Sequence, residues 1–203
     1  MHPGKTKKDV VQEFRTAGIL DAARGVFARH GFQAATVDEI AEAAGVAKGT
    51  VYLYFPSKRD IFLATLRAGV LDLHAEVERQ VGAAASAEAR IRAFIHARLE
   101  YCDRNRDFFR IYYTEFASLQ VRGHNDRPEF QDLYNRQAVL LEKILGEGVR
   151  AGEVRFRNIP RTARLIYDLT RAAIAQHVLD PGATDIEEST EIVCDLVWRG
   201  IAC

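Results

Sequence analysis

Apolar residues recur three and four positions apart along nearly the whole chain of 203 residues. This spacing lines one face of an α-helix, and the strict alternation that indicates a half-buried β-strand is missing. The five prolines fall where such helices would begin or end. The sequence therefore predicts an all-α fold of about nine helices.

Three helices are predicted near the start of the chain, over residues 9–29, 37–44 and 47–54. The second and third are short and are separated by a sharp turn. Thr36-Val-Asp-Glu39 has the pattern of a capping box, in which the threonine oxygen accepts from the third helical N–H and the glutamate reaches back to the cap. Gly45 takes a positive φ at low cost, so the second helix can end in a sharp turn. The pattern is typical of a helix-turn-helix.

The inward faces of these helices follow from the same spacing. For the first helix we expect an inward stripe of Phe14, Ile19, Ala23, Val26 and Phe27, with Gly31 after its end. In the third helix Val51 and Phe55 lie four positions apart and form the natural inward pair, which Leu53 could join. The polar residues of that helix would then point outward.

Longer helices are predicted for the rest of the chain. Ser57-Lys-Arg-Asp60 repeats the capping pattern and opens a helix towards residue 80. Further helices are expected over residues 86–105, 107–119, 128–151, 160–178 and 185–201. Thr184 to Glu187 gives the last of them a capping box.

Charge gives only weak information about partners. The chain has 28 Lys and Arg and 28 Asp and Glu, so its formal net charge is zero. Residues 1–60 carry nine basic and seven acidic residues, a difference of +2 (9 − 7), which leaves −2 for the remainder. No apolar run reaches the ~18 residues of a membrane-spanning helix and no signal-peptide core is present, so we expect a cytoplasmic protein.

Chemistry-bearing motifs are sparse. Cys102, Cys194 and Cys203 form no CxxC pair, which favours reduced structural thiols over a disulfide framework or a zinc site. A Gly-rich phosphate loop, GxSxG and HExxH are all missing, and the six histidines are scattered. We therefore expect no enzyme activity, no catalytic residues, no cofactor and no metal.

The stretch "GILDAARGVFARHGFQAATVDEIAEAAGVAKGTVYLYFPSKRDIF", residues 18–62, resembles the N-terminal domain of the TetR family of bacterial transcriptional regulators. The resemblance implies a three-helix DNA-binding head over residues 1–56 and an effector-binding and dimerisation body over residues 57–203. It also implies a homodimer that binds a double-stranded DNA operator and a small-molecule effector. Past residue 62 the resemblance is only architectural.

The resemblance assigns DNA contacts residue by residue. Thr36 would hold phosphate at the start of the second helix, and Tyr54 and Lys58 match positions that contact the phosphate backbone. The residues that approach DNA from the third helix are Lys48, Gly49, Thr50 and Tyr52. Lysine can donate to guanine or phosphate, threonine can bond a base edge, and glycine permits close approach. Alternatively the tyrosines only pack at the rim, and Lys48 is a solvated helix end.

Dimerisation is expected to use the last two helices. Their apolar stripes are Ala163, Ile166, Leu169, Ala173 and Ile174, and Ile186, Val193, Leu196, Val197, Gly200 and Ile201. Two such stripes from each chain could form a four-helix seam, and the alternative is that both pack within the monomer. A two-fold dimer would place its recognition helices about 34 to 36 Å apart on a palindromic operator.

Aromatic side chains concentrate in the middle of the chain, where an effector pocket is expected. The candidate effector residues are His74, Arg98, Tyr101, Tyr112, Tyr113, Phe116, Gln120 and His177. Each of them could instead be an ordinary core or surface residue. The resemblance thus implies a repressor released from its operator by a small molecule. The alternative is a DNA-binding regulator or architectural protein whose body binds a partner protein.

Overall fold

The computed structural model describes residues 6–116, 128–155, 158–180, 182 and 185–202. Contacts divide the chain into two compact units, Met1–Gly69 and Val70–Cys203, called here the head and the body. Nine α-helices and one π-helical turn lie within the described ranges, together with an isolated antiparallel bridge between Val154 and Ala202. The all-α prediction is confirmed. The functional boundary at residues 56 and 57 stays a prediction.

The head contains helices α1 (Lys7–Ala34), α2 (Val37–Ala43) and α3 (Lys48–Tyr54) and the first turns of α4 (Lys58–Ala83). Helix α1 begins two residues earlier than expected, because Thr6 and Asp9 form a capping box. Gly31, with φ 76° and ψ 168°, breaks the helix near its predicted end, and a last helical turn follows. A left-handed φ of this kind favours glycine.

Four of the five predicted inward residues of α1 are buried, namely Ile19, Ala23, Val26 and Phe27. The prediction for Phe14 is wrong, since that side chain is 80% exposed. At 1.5 Å per residue, α1 is about four times longer than α2 or α3, so its first turns extend beyond what those helices can cover. Further along α1, the ring of Phe27 packs against the ring of Phe62 of α4, with 5.1 Å between their centroids.

The body contains the rest of α4 and helices α5 (Ala87–Arg104), α6 (Arg106–Ile111), α7 (Pro128–Arg150), α8 (Ile159–Leu179) and α9 (Ile186–Ile201). A π-helical turn, Tyr112–Phe116, replaces the straight continuation of α6 that was expected to residue 119, and residues 117–119 lie outside the described part. Helix α9 begins with Asp185 as its N-cap. The predicted cap, Thr184, lies outside the described residues.

Helix α5 lies at the centre of the body and packs against α7, α8 and α9. Its buried face includes Ile91, Phe94 and Ile95. Close to its start, Gly148 of α7 allows a tight contact, since a Cβ at that position would lie 2.8 Å from both Ala87 and Val154. No helix in the described ranges is long and apolar enough to cross a membrane.

The expected dimer stripes are largely part of the body's own core, which corrects their assignment. The buried members are Ala163, Ile166, Ile174, Val193, Val197 and Ile201. They pack against α5 and against each other because α8 and α9 each turn one full apolar face inward. Of the predicted set, Leu169, Leu196 and Gly200 remain exposed, and Leu165 and Ile192 on the same helices are exposed as well.

Candidate functional site

The turn between α2 and α3 is defined by backbone geometry. Gly45 has a φ of 65°, and the N–H of Val46 donates to the carbonyl of Ala41 at 3.0 Å. Helix α3 then starts at Lys48 after an N-cap, Ala47, that offers no side-chain hydrogen bond. The head thus carries two seven-residue helices in close succession, α2 packed on α1 and α3 packed on α2.

Helix α3 has one buried face and one open face. Val51 and Phe55 are buried as predicted, whereas Leu53 is 83% exposed and is not part of the inward set. Leu53 is two positions from both inward residues, so the helical period of 3.6 places it on the opposite side. Lys48, Gly49 and Tyr52 are exposed, and Thr50 and Tyr54 are half-buried.

Lys48 has a local partner at the surface. Its Nζ donates to Oδ2 of Asp38 at 2.7 Å, and both side chains are exposed. This hydrogen bond and the adjacent negative charge raise the pKa of Lys48. Because solvent-exposed ion pairs contribute little to stability, the ammonium can exchange Asp38 for another anion at small cost.

Thr36 is engaged in the capping box predicted for α2. Its backbone N–H and its hydroxyl both donate to Oε2 of Glu39, at 2.7 and 2.8 Å, and the Glu39 N–H donates to the Thr36 hydroxyl at 3.2 Å. The two bonds from Thr36 lower the pKa of Glu39. A phosphate at this end of α2 would therefore lie beside a carboxylate.

Lys58 is held by the end of α1. Its ammonium donates to the carbonyls of Gln33 at 3.0 Å and Ala35 at 2.9 Å and lies 4.9 Å from the ring centroid of Phe32. The residue therefore caps a helix end inside the head. Its predicted phosphate contact stays a prediction.

In the body, Arg98 is the most unusual of the predicted effector residues. It is only 4% exposed, and its Nε and Nη1 have no hydrogen-bond partner among the described residues. The guanidinium lies 3.9 Å from the ring centroid of Tyr167 and 5.3 Å from that of Phe94. A guanidinium is charged at every pH that a protein meets, so a positive charge is enclosed between two rings.

His74 and Gln137 are also buried polar side chains of the body with atoms that have no hydrogen bond among the described residues. His74 of α4 is 2% exposed with an unpartnered Nδ1, and Gln137 of α7 is 1% exposed with neither amide atom bonded. Burial, assisted by the charge of Arg98, lowers the pKa of His74 to about 4, so the imidazole is neutral near pH 7. The described helices thus enclose polar groups whose bonding capacity is unused.

The other candidate effector residues have different surroundings. Tyr101 meets Phe109 edge to face, and the pKa of Tyr113, which also lies near Arg98, is raised by burial. Tyr112 stacks edge to face on Tyr113 at 5.1 Å. His177 bonds Oδ1 of Asp103 at 2.7 Å. The side chain of Phe116 and the whole of Gln120 lie outside the described residues.

Sequence reasoning missed Gln137, Tyr167 and Phe94. A signal for Gln137 was present, because it lies four positions from both Leu133 and Leu141 in the buried stripe of α7. A polar residue inside an apolar stripe indicates a buried polar group. The ring faces of Tyr167 and Phe94 carry no such signal, since aromatic residues are common on any inward face.

The thiols are consistent with a structural role. Cys102 and Cys194 are buried and free, and burial raises their pKa values to about 12 and about 11. Cys203 lies outside the described residues. Within the described ranges no group of three or more His, Cys, Asp or Glu side chains is placed to hold a metal ion.

Comparison with known proteins adds to this geometry. Residues 19–65 match the family model of bacterial regulatory proteins of the tetR family, and residues 84–201 match that of the tetracyclin repressor-like C-terminal domain. The fatty acid metabolism regulator protein of Bacillus subtilis is 28% identical over 188 residues, 90% of this chain and 93% of that protein. The transcriptional repressor KstR2 of Rhodococcus jostii is 30% identical over 142 residues, 70% of this chain and 68% of that protein.

Solved structures show the same fold. FadR from Bacillus subtilis in complex with stearoyl-CoA superposes with a TM-score of 0.75 at 24% identity, covering 91% of this chain and 98% of that one. FadR from Bacillus halodurans gives a TM-score of 0.74 at 21% identity, covering 98% of both chains. Since the second family model alone spans more than half of the sequence, the chain belongs to the tetR family of bacterial DNA-binding transcriptional regulators.

Proposed function

We propose that the protein is a homodimeric repressor that binds a palindromic operator through α2 and α3 and is released by a small molecule bound in the body. The observation that carries the DNA-binding half is the open face of α3, where Lys48, Gly49 and Tyr52 are exposed while Val51 and Phe55 anchor the helix. A recognition helix needs this division, because its outward residues must reach base edges.

The proposed DNA contacts are those that the sequence predicted. Lys48, Gly49, Thr50 and Tyr52 would approach the major groove, and Thr36, Tyr54 and Lys58 would contact phosphates. Gly49 supports this assignment, since a Cβ at that position would meet no described atom within 4 Å. Packing within the head therefore does not require a glycine at this position. Close approach of a DNA duplex would require one.

The proposed dimer uses the outer faces of α8 and α9. Leu165 and Leu169 are exposed four positions apart on α8, and Ile192 and Leu196 are exposed four positions apart on α9. Gly200 continues the second row by one further turn. Apolar rows of this kind, with a small residue beside them, allow two helices from each chain to form a four-helix seam.

The proposed effector binds in the body and acts by linkage. The body is proposed to have two conformations, one with high and one with low operator affinity. A ligand that binds the second more tightly weakens DNA binding, and the ratio of its affinities for the two conformations limits how much. Because one relative regulates fatty acid metabolism and another was solved with stearoyl-CoA, long-chain fatty acids and their CoA esters are the first effectors to test. The role proposed is regulatory, without catalysis, and its place is the cytoplasm, where operator DNA lies.

Genomic footprinting followed by fluorescence anisotropy on the recovered operator tests this function. We expect saturable binding of a palindromic site and its loss on addition of stearate, of stearoyl-CoA or of a fraction of cell metabolites. Release by a protein fraction alone would instead favour a partner-binding regulator. A chain that binds no duplex at low salt would contradict the proposal at its base.

A further inference from the structure

The arginines of α5 differ in their partners. Arg90 forms an ion pair with Glu147, and Arg92 reaches Glu191 at 2.9 Å. Arg98 is the most buried of the three, and yet Nε and Nη1 of its guanidinium have no hydrogen-bond partner among the described residues. Arg90 and Arg92, which water can reach, thus have carboxylate partners, whereas the enclosed Arg98 has none among the described residues.

An enclosed charge of this kind is unfavourable for the ligand-free protein. Removing a cation from water has a large desolvation penalty, which an anion and complete hydrogen bonding can offset. The ring faces of Tyr167 and Phe94 attract the guanidinium, but they supply no lone pair to its N–H groups. Within the described helices, two donor atoms of this buried guanidinium, Nε and Nη1, thus have no acceptor.

Two titratable groups near Arg98 are uncharged near pH 7. His74 is uncharged near pH 7 because burial lowers its pKa to about 4, and Tyr113 keeps its proton because burial raises its pKa. On the buried stripe of α7, Gln137 has an unbonded amide with one donor group and one acceptor. Planar donors of a guanidinium match the two oxygens of a carboxylate, and an amide can complete the set.

We propose that Arg98 is the recognition residue for a carboxylate on the effector, so that the ligand of this regulator is an organic anion whose charged group is buried in the body. This rests on the effector site proposed above and specifies its chemistry. A saturated acyl tail would leave the guanidinium unsatisfied. A carboxylate would bring the missing charge and acceptors together with an apolar remainder that fits the aromatic surroundings.

The first measurement needs no ligand. Replacing Arg98 by methionine, Arg98→Met, keeps the length of the side chain and removes the charge. If the charge exists for a ligand, the ligand-free variant gains stability, and its unfolding midpoint rises by about 2 °C or more at fixed protein concentration. Arg90→Met is the matched control on the same helix, and its midpoint should stay or fall because Glu147 loses a partner. A fall in the midpoint of Arg98→Met would identify a purely structural arginine and overturn the proposal.

The second measurement uses matched probes and isothermal titration calorimetry on the whole protein without DNA. The pairs are octanoate with 1-octanol and benzoate with benzyl alcohol, which differ in the carboxylate. We expect at least one carboxylate to bind about tenfold or more tightly than its alcohol, and Arg98→Met to abolish that preference.

Every remaining outcome contradicts the proposal. Equal affinity for both members of each pair would mean that buried water, rather than a ligand, satisfies Arg98. A preference that survives Arg98→Met would place the carboxylate elsewhere. Since neither measurement contains DNA, a failure of operator binding would refute the proposed regulatory function without altering either result.

Discussion

Lys48 of the head and Arg98 of the body have opposite surroundings. In the head, Lys48 and Asp38 pair at 2.7 Å where water reaches both. In the body, Arg98 is enclosed with donors that have no hydrogen-bond partner among the described residues. An exposed ion pair is weak and exchanges partners readily. A buried unpaired charge has a large desolvation penalty, so a partner of opposite charge would stabilise it strongly. The first suits a surface that slides over phosphates, and the second suits selective capture of one small molecule.

Glycines show the same division. A Cβ on Gly49 in the head would meet no described atom within 4 Å, whereas a Cβ on Gly148 in the body would lie 2.8 Å from two side chains. Gly49 therefore leaves space at the surface that a binding partner can use. Gly148 is required by the packing of the body itself.

The largest expected effect tests that packing. Gly148→Ala should lower the free energy of unfolding by about 2 kcal/mol, because overpacking outweighs the gain in helix propensity. Thermal unfolding would show a fall of several degrees in the midpoint. Gly146→Ala, two residues earlier on α7 and with only ordinary contacts around its Cβ, is the control and should be neutral or stabilising. Equal effects of both changes would remove the distinction between the two glycines.

Next in size is the loss of a charge on the open face of α3. Lys48→Ala should weaken operator binding on the order of tenfold and reduce its salt dependence, while the helical content and the unfolding midpoint stay unchanged. Fluorescence anisotropy at several salt concentrations measures this. Arg79→Ala, an exposed residue of the body paired with Glu76, is the control. Unaltered affinity for the Lys48 variant would show that the surface faces solvent only.

Acid sensitivity distinguishes the enclosed histidine of the body from an exposed one of the head. The folded-state pKa of His74 is about 4, whereas its ordinary value is 6.5. The stability that the neutral imidazole contributes is therefore complete above pH 6.5 and is lost as the pH falls towards 4. His74→Gln should therefore reduce the drop in stability between pH about 7.5 and about 5 by about 1 kcal/mol, allowing for some water access. The measurement is the unfolding midpoint at both pH values. His30→Gln, at an exposed position of the head, should change nothing, and an equal effect there would contradict the assignment.

The smallest effect concerns the partner of Lys48. Asp38→Asn removes a carboxylate from the proposed DNA surface and leaves the ammonium of Lys48 without its competitor. Operator affinity should rise about twofold to threefold at low salt, and the gain should vanish at high salt. Affinity titrations at the two salt concentrations test it, and a decrease would mean that Asp38 orients Lys48 for binding.

Much of the head was predictable because its signals are local. The capping box from Thr36 to Glu39, the turn at Gly45 and the inward pair Val51 and Phe55 all depend on residues within a few positions of each other. The prediction that Phe14 is buried was wrong because its burial depends on how far the neighbouring helices extend. That length is a tertiary property, and an apolar residue with the right spacing carries no sign of it.

The body was harder to predict because its site joins distant segments. Arg98 was selected from the sequence, but Tyr167 meets it only after α8 has packed on α5. The assignment of most of the dimer stripe residues was wrong for a related reason. Periodicity shows that α8 and α9 have apolar residues on more than one side, yet the choice between own core and partner is made by the fold.

The ammonium of Lys58 is held in one position within the head. A lysine normally gives up about 2 kcal/mol of rotamer freedom when it grips an anion. Here two carbonyls, those of Gln33 and Ala35, have already fixed the ammonium before any duplex arrives. A phosphate that reaches this nitrogen would meet a preorganised donor whose position is set by the end of one helix and the start of another.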